Sequence, residues 1–295
     1  MKFFKMFFSV FLMCGLIFGM SFKAEALEVR GHAPILNGNE NTAKNEAVRN
    51  AITQAFAVTE KVSPEDLPRI MRFSILADIL ENRRDDYVTI NKYIEDKADN
   101  GVYSVVLDVT VNSEELRETA RGVREQVKNV NANPNRDKVQ ISIVDNVKGN
   151  YVYDDMMTYF LDGKFNLAGY AYDNSTEVTA CLIKNVTDPN FGAKVRDFAL
   201  ENHDNEIAFF YGILNTKSVE KLKNGLYKAT IHANFSAGSF EMGNIERYER
   251  DSVGVAETEA VAVGLAKVRV TSACMEAFTE QAIMDFDSIL TETVD

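Results

Sequence analysis

Asp99-Asn100-Gly101-Val102-Tyr103-Ser104-Val105-Val106-Leu107-Asp108-Val109-Thr110-Val111 is the stretch that decides the fold class. Asn-Gly supplies the positive φ angles of a tight hairpin turn. Beyond it Tyr103, Val105, Leu107, Val109 and Val111 alternate with Ser104, Asp108 and Thr110, a period of two that puts the apolar set on one sheet face. Upstream, Val88, Ile90 and Ile94 alternate as the partner strand. Helical patterns flank this hairpin. Leu27 to Ile35 predicts a first strand ending in Asn37-Gly38-Asn39, and Asn41 is placed as the N-cap of a helix carrying Val48, Ala51, Ile52, Ala55, Val58 and Val62 on its buried side. A second helix is expected from Ser63, with Pro64 at its first position and Ile75, Leu76, Ile79 and Leu80 inward. After the hairpin, Ser113 is placed as the cap of a helix running through Leu116, Ala120, Val123 and Val127.

Asn129 to Asp137 holds four Asn and one Pro and reads as a linker. It divides the chain after the leader into expected domains at 27–133 and 134–295. In the second, Val139, Ile141 and Ile143 predict a strand, Tyr151 to Leu161 a short helix, Phe165 to Tyr170 a strand and Asn190 to His203 a helix. Ile207 to Leu214 is a continuous apolar run suited to a strand buried on both faces. Two strands, Leu226 to Phe235 and Ser239 to Arg250, are expected to join at Ser236-Ala237-Gly238. A long helix closes the chain from Ala256 to Leu290, with Val261, Leu265, Val268, Met275, Ala282, Phe286 and Ile289 inward and Gly264 as a bend or close-packing point. The predicted class is α+β (mixed α/β), with two small domains, each a mostly antiparallel sheet packed with helices.

The start of the chain sets the compartment. Lys2 and Lys5 precede an apolar run from Met6 to Met20, and Ala24-Glu25-Ala26 offers a small-x-small cleavage site. This is the order of a secretory signal peptide over 1–26, cleaved after Ala26. Cys14 lies inside the apolar run behind Met13, whereas an acylated cysteine follows a small residue, so no lipid anchor is expected. Removing Lys2, Lys5, Lys23 and Glu25 from 32 basic and 44 acidic residues leaves a net charge of −14. Such a surface repels nucleic acid and anionic headgroups. After cleavage no transmembrane segment is expected. Cys181 and Cys274 remain, and an oxidising compartment allows either a disulfide or two buried thiols.

Chemical motifs are sparse. His32, His203 and His232 are the only histidines, none at metal-ligand spacing from another His or a Cys. Phosphate-binding glycine loops, nucleophile elbows and H-E-x-x-H are missing. Asp154-Asp155 could serve as an acid/base or cation-binding pair, but reads better as a solvated helix start. Glu246, Glu249, Asp251, Glu257 and Glu259 form an acidic stretch without the loop pattern of a Ca²⁺ site. Arg83-Arg84-Asp85-Asp86 reads as a charged helix end, and Tyr151, Tyr153, Tyr159, Tyr170 and Tyr172 as packing. We therefore expect no enzyme, and no catalytic residue, cofactor-binding residue, metal site or cofactor is assigned.

The first half has a recognisable order of parts: a strand with Val29-Arg30-Gly31-His32-Ala33, the helical run Ala43 to Ala55, a second helix, and the return strand Gly101 to Val109. Over about 27–128 this resembles the N-terminal domain of the flagellar assembly protein T family, and about 138–290 is similar in topology to that family's middle domain. The resemblance implies a periplasmic, non-enzymatic assembly or interaction protein supporting flagellar basal-body ring formation near the outer membrane, here without the family's small C-terminal β-domain. Its implied partners are envelope proteins, basal-body components among them, or copies of itself. The alternative is a periplasmic ligand-binding or other cell-envelope assembly protein, with a tyrosine-lined pocket between the domains.

Overall fold

A computed structural model describes residues 26–61, 87–133, 136–167, 170–202, 206–240, 243 and 245–280. The leader, the expected second helix from Ser63, Arg83 to Asp86 and the end of the last helix lie outside the described residues. The chain is α+β, with two sheets packed with helices. The first sheet is three-stranded and antiparallel, in order β1-β3-β2, from β1 (Ala26–Pro34), β2 (Val88–Asp99) and β3 (Val102–Val111). The second is six-stranded and mixed, in order β5-β4-β7-β8-β9, with β6 beside β4. Its members are β4 (Lys138–Val147), β5 (Asn150–Tyr153), β6 (Ala171–Asp173), β7 (Glu206–Lys221), β8 (Tyr227–Ser239) and β9 (Glu246–Ala256). β4 runs parallel to β6 and β7, and the other pairings are antiparallel.

The hairpin at the centre of the sequence reading forms as expected, with Asn100 and Gly101 both at positive φ. Val105, Leu107, Val109 and Val111 enter the first core with α1 (Glu40–Thr59) and Leu116 of α2 (Ser113–Ala132). Two caps differ from expectation by one or two residues. Asn39, not Asn41, caps α1 by accepting from Thr42 N at 3.1 Å. Asn112, not Ser113, accepts from Glu115 N at the start of α2. Val58 is 46% exposed instead of buried, because α1 turns Ala43, Ala47, Ala51 and Ala55 toward β1.

The larger sheet has a core on each face. One face carries Val139, Ile141, Phe210, Ile231 and Phe235 against α3 (Asp155–Leu167) and α6 (Glu259–Glu280). The other carries Val144, Phe209, Tyr211 and Ile213 against α4 (Thr176–Asn185) and α5 (Phe191–Asn202). The strand Ile207 to Leu214 is thus covered on both faces, as its apolar run predicted. Other expectations fail here. Tyr151 belongs to β5, and Phe165, expected in a strand, sits in α3 with its ring buried to 1% exposure. α4 was missed altogether. Ser236-Ala237-Gly238 is not a turn but the end of β8, where small side chains let α5 come close: a Cβ on Gly192 would lie 1.9 Å from Ser236 Oγ. On α6 the buried line is Ala262, Ala266, Val270 and Cys274, while Val261, Leu265 and Val268 are only partly covered. Cys181 and Cys274 are free thiols on helices that cover opposite faces of the sheet, so the sheet itself keeps them apart.

One contact recurs. A Cβ on Gly31 of β1 would lie 1.9 Å from Ala47 O and 2.6 Å from Ala51 N of α1. A Cβ on Gly254 of β9 would lie 2.1 Å from Ala262 O and 2.6 Å from Ala266 N of α6. In both places the backbone of an edge strand rests on a helix through a glycine and two alanines. Gly31→Ala or Gly254→Ala should each cost about 1–3 kcal/mol by overpacking, read as a lower urea midpoint. Gly122→Ala, with open space around it on α2, should instead gain about 0.5–1 kcal/mol.

Candidate functional site

The edges β1 and β9 lie side by side without pairing, and a cleft of about 520 Å³ opens over them between α1 and α6. Their outward backbone groups are met by side chains. Arg30 N donates to Gln54 Oε1 at 2.7 Å, Asn50 Nδ2 donates to His32 O at 2.8 Å, and Arg269 Nη1 donates to Val253 O at 2.6 Å. Ion pairs cross the seam. Arg269 meets Glu46, joining α6 to α1, and Arg30 approaches Glu257 at 3.9 Å. Below the seam Val102 of β3 packs with Leu226 and Val255, so the first sheet leans on the tip of the β7–β8 hairpin and on β9.

His32 sits in this junction. Its Nδ1 shares a hydrogen with Ser104 Oγ at 2.9 Å, and its Nε2 is buried with no hydrogen-bond partner. Burial lowers its pKa, against the opposing pull of Glu257, so the ring is neutral at neutral pH. The cleft's polar lining (Arg30, Glu46, Arg49, Asn50, Arg269 and Glu276 among it) suits recognition of a polar partner. This cleft is lined by arginines, glutamates and amides, with no tyrosine among its described lining residues.

A second polar group is buried under the larger sheet. Lys267 Nζ of α6 donates to Asp145 Oδ2 at 2.8 Å and to Asp154 Oδ2 at 2.6 Å. Asp154 also accepts from Met157 N, capping α3. The expected solvated Asp154-Asp155 pair is therefore split: Asp155 is exposed, whereas Asp154 is 7% exposed and tied to Lys267. Burial pulls the Lys267 pKa down, but the two carboxylates outweigh it and hold the pKa above its ordinary value. This triad fastens α6 and α3 to the end of β4. The lysine gave no sequence signal, because Lys267 lies 122 positions from Asp145.

The acidic stretch does not converge. Glu257 faces Arg30, while Glu249 and Asp251 flank His232 at 3.2 and 2.7 Å. Tyr151 donates to Asn215 Oδ1, Tyr153 accepts from Asn174, and Tyr170 and Tyr172 join the core over α3. Among the described residues no group of three or more His, Cys, Asp or Glu side chains is arranged to hold a metal. No helix among them is long and apolar enough to cross a membrane.

No protein-family model matches the chain, and no curated protein matches it either. Solved structures give partial likenesses. The lipoprotein GNA1162 from Neisseria meningitidis is 10% identical, covering 49% of this chain and 99% of its own, at a TM-score of 0.30. The hypothetical protein CT253 from Chlamydia trachomatis is 10% identical over 48% of this chain and 98% of its own, at 0.29. Protein XCC0632 from Xanthomonas campestris is 12% identical over 48% and 86%, at 0.18. Likenesses this shallow carry no functional argument.

Two outcomes follow from the buried groups. Lys267→Met leaves two facing carboxylates without a cation and should cost about 3–5 kcal/mol at pH 7, measured by chemical denaturation. For His32 the unfolded chain binds the proton first, so stability should hold above about pH 6.5 and fall as pH drops through that value. A His32→Asn variant should lose that part of the acid dependence in melts between pH 7.5 and 5.

Proposed function

We propose that this chain is an exported, non-catalytic protein of the bacterial cell envelope that engages a partner through the cleft between its two sheets. The observation that supports it most is the cleft itself. It has pocket-like size, convergent polar groups, and walls contributed by both halves of the chain. The ion pairs across it are between groups of opposite sign already in contact, an arrangement suited to holding two halves in register and poorly suited to acid–base or nucleophilic chemistry. The leader-like start over Met1 to Ala26 supports the compartment. The broader reading, an envelope binding or assembly protein, needs only these features. The narrower one, a part of the flagellar basal-body ring, rests on the order of strand, helix and return strand in the first half.

Fractionation of cells producing the full chain should place it outside the cytoplasm and shortened by the leader. A photocrosslinking residue at Gln54, in the cleft, should give envelope adducts that are absent when it is placed at Leu200, 47% exposed on α5. A chain retained in the cytoplasm with its leader intact would overturn the envelope reading. Equal adducts from both positions would overturn the role of the cleft. For the narrower reading, deletion should reduce swimming and leave basal bodies incomplete. A deletion strain that swims normally with complete basal bodies removes it.

A further inference from the structure

A row of polar side chains crosses the larger sheet from one edge to the other, perpendicular to the strands. The register pairs Tyr151 of β5 with Asn146 of β4, Asn146 with Asn215 of β7, Asn215 with His232 of β8, and His232 with Asp251 of β9. Paired residues share a sheet face, so all five side chains stand on the face that carries Val144 and Ile213. α4 and α5 cover the neighbouring rows on that face. This row lies at their border, with Tyr151 packed against the core they cover: Tyr151, Asn146, Asn215 and His232 are half-buried and Asp251 is exposed.

The fold accounts for only some of these residues: Asn146 closes the β4–β5 turn, where Lys148 and Gly149 are at positive φ, and Tyr151 packs against the core under α4 and α5. Asn and Asp are depleted in strands, where Thr, Val or Tyr would serve a solvated face better. Strand-averse side chains side by side in central strands mark a place where local preference yields to function. The row is also incompletely used by the protein. Asn146 Oδ1 accepts from Gly149 N and Asn215 Oδ1 accepts from Tyr151 OH, but among the described residues their Nδ2 groups have no partner. At the far end Lys217 Nζ donates to both Asp251 oxygens, at 2.8 and 2.9 Å, and His232 lies between Asp251 and Glu249.

We propose that this row is a saccharide-binding site that takes an extended, neutral chain of pyranose rings. The chemistry selects the class. Carboxamide, phenol, imidazole and carboxylate side chains alternate donors with acceptors, as a ligand rich in hydroxyl groups requires. Lys217 and Asp251 neutralise each other, and Glu249 disfavours phosphates and other anions. Spacing agrees. Strands lie about 4.8 Å apart, so five of them set out about 19 Å of row, and that step is close to the advance of one ring in an extended β-1,4-linked glycan. An extended peptide would instead seek a free strand edge for its main-chain hydrogen bonds, and a row across the face of paired strands offers none. The site lies on a different surface from the cleft and does not depend on it.

The test titrates the full chain with cellotetraose and chitotetraose, followed by amide chemical shifts. Saturable shifts should centre on the residues of the row. An Asn146→Thr/Asn215→Thr variant should bind at least about tenfold more weakly while melting no lower than the parent, because threonine is the better strand former. Co-sedimentation with purified peptidoglycan sacculi would identify a wall glycan as the source, and tetrasaccharide binding without it a soluble one; both support the site. Absence of saturable binding, affinity unchanged in the double variant, or tighter binding of an unstructured Ala-Ser octapeptide than of either sugar would overturn it. A variant that melts lower would show the row to be structural.

Discussion

Two edge strands in this molecule rest backbone to backbone on helices. At Gly31 and again at Gly254, an edge strand comes so near a helix that even a methyl group would collide with the helix carbonyl and amide. A strand held at that distance fixes which helix face can meet it, and only alanines fit: Ala47 and Ala51 in one case, Ala262 and Ala266 in the other. Larger residues are displaced to the flanks. Val58 of α1 therefore lines the cleft, and Val261, Leu265 and Val268 of α6 line it while packing only partly against the cores. The cleft is a consequence of two tight strand–helix contacts placed beside each other.

This explains where the sequence could be read and where it could not. Periodicity found the β2–β3 hairpin, the strand at Ile207 and the general course of α1, α5 and α6, because apolar alternation and helical repeat are local signals. It chose the wrong stripe on α6. Ranking residues by hydrophobicity favours valine and leucine, whereas the contact with Gly254 selects alanine by size, and that selection is made by a strand elsewhere in the chain. Ser236-Ala237-Gly238 was misread for the same reason. Small residues signal a turn when seen alone, and a close approach when a helix such as α5 lies over them.

Charged residues were harder still. Asp154 next to Asp155 at a helix start looks solvated, and half of that pair is. What separates them is Lys267, supplied by α6, which follows the last strand of the sheet in the chain. A buried cation with two carboxylates stays where it is because removing one member leaves the others uncompensated, not because the group as a whole adds much stability. Its effect is on geometry: it sets how far α6 can slide along the sheet, and so where Arg269 stands relative to Glu46.

The same separation of local and distant signals bears on the two surfaces. The cleft draws on both halves of the chain, and packing and the ion pairs across the seam account for its shape and for part of its polar lining. The polar row on the larger sheet is explained only in part, by the turn contact of Asn146 and the pairs among its members. Tyr151, Asn146, Asn215, His232 and Asp251 come from five strands and form one line only through register, and the asparagines and the aspartate sit where strand preference would place other residues. In a chain whose interior is selected this strictly by size, the two asparagines that strand preference disfavours, and whose Nδ2 groups have no partner among the described residues, are the ones whose identity a ligand best accounts for.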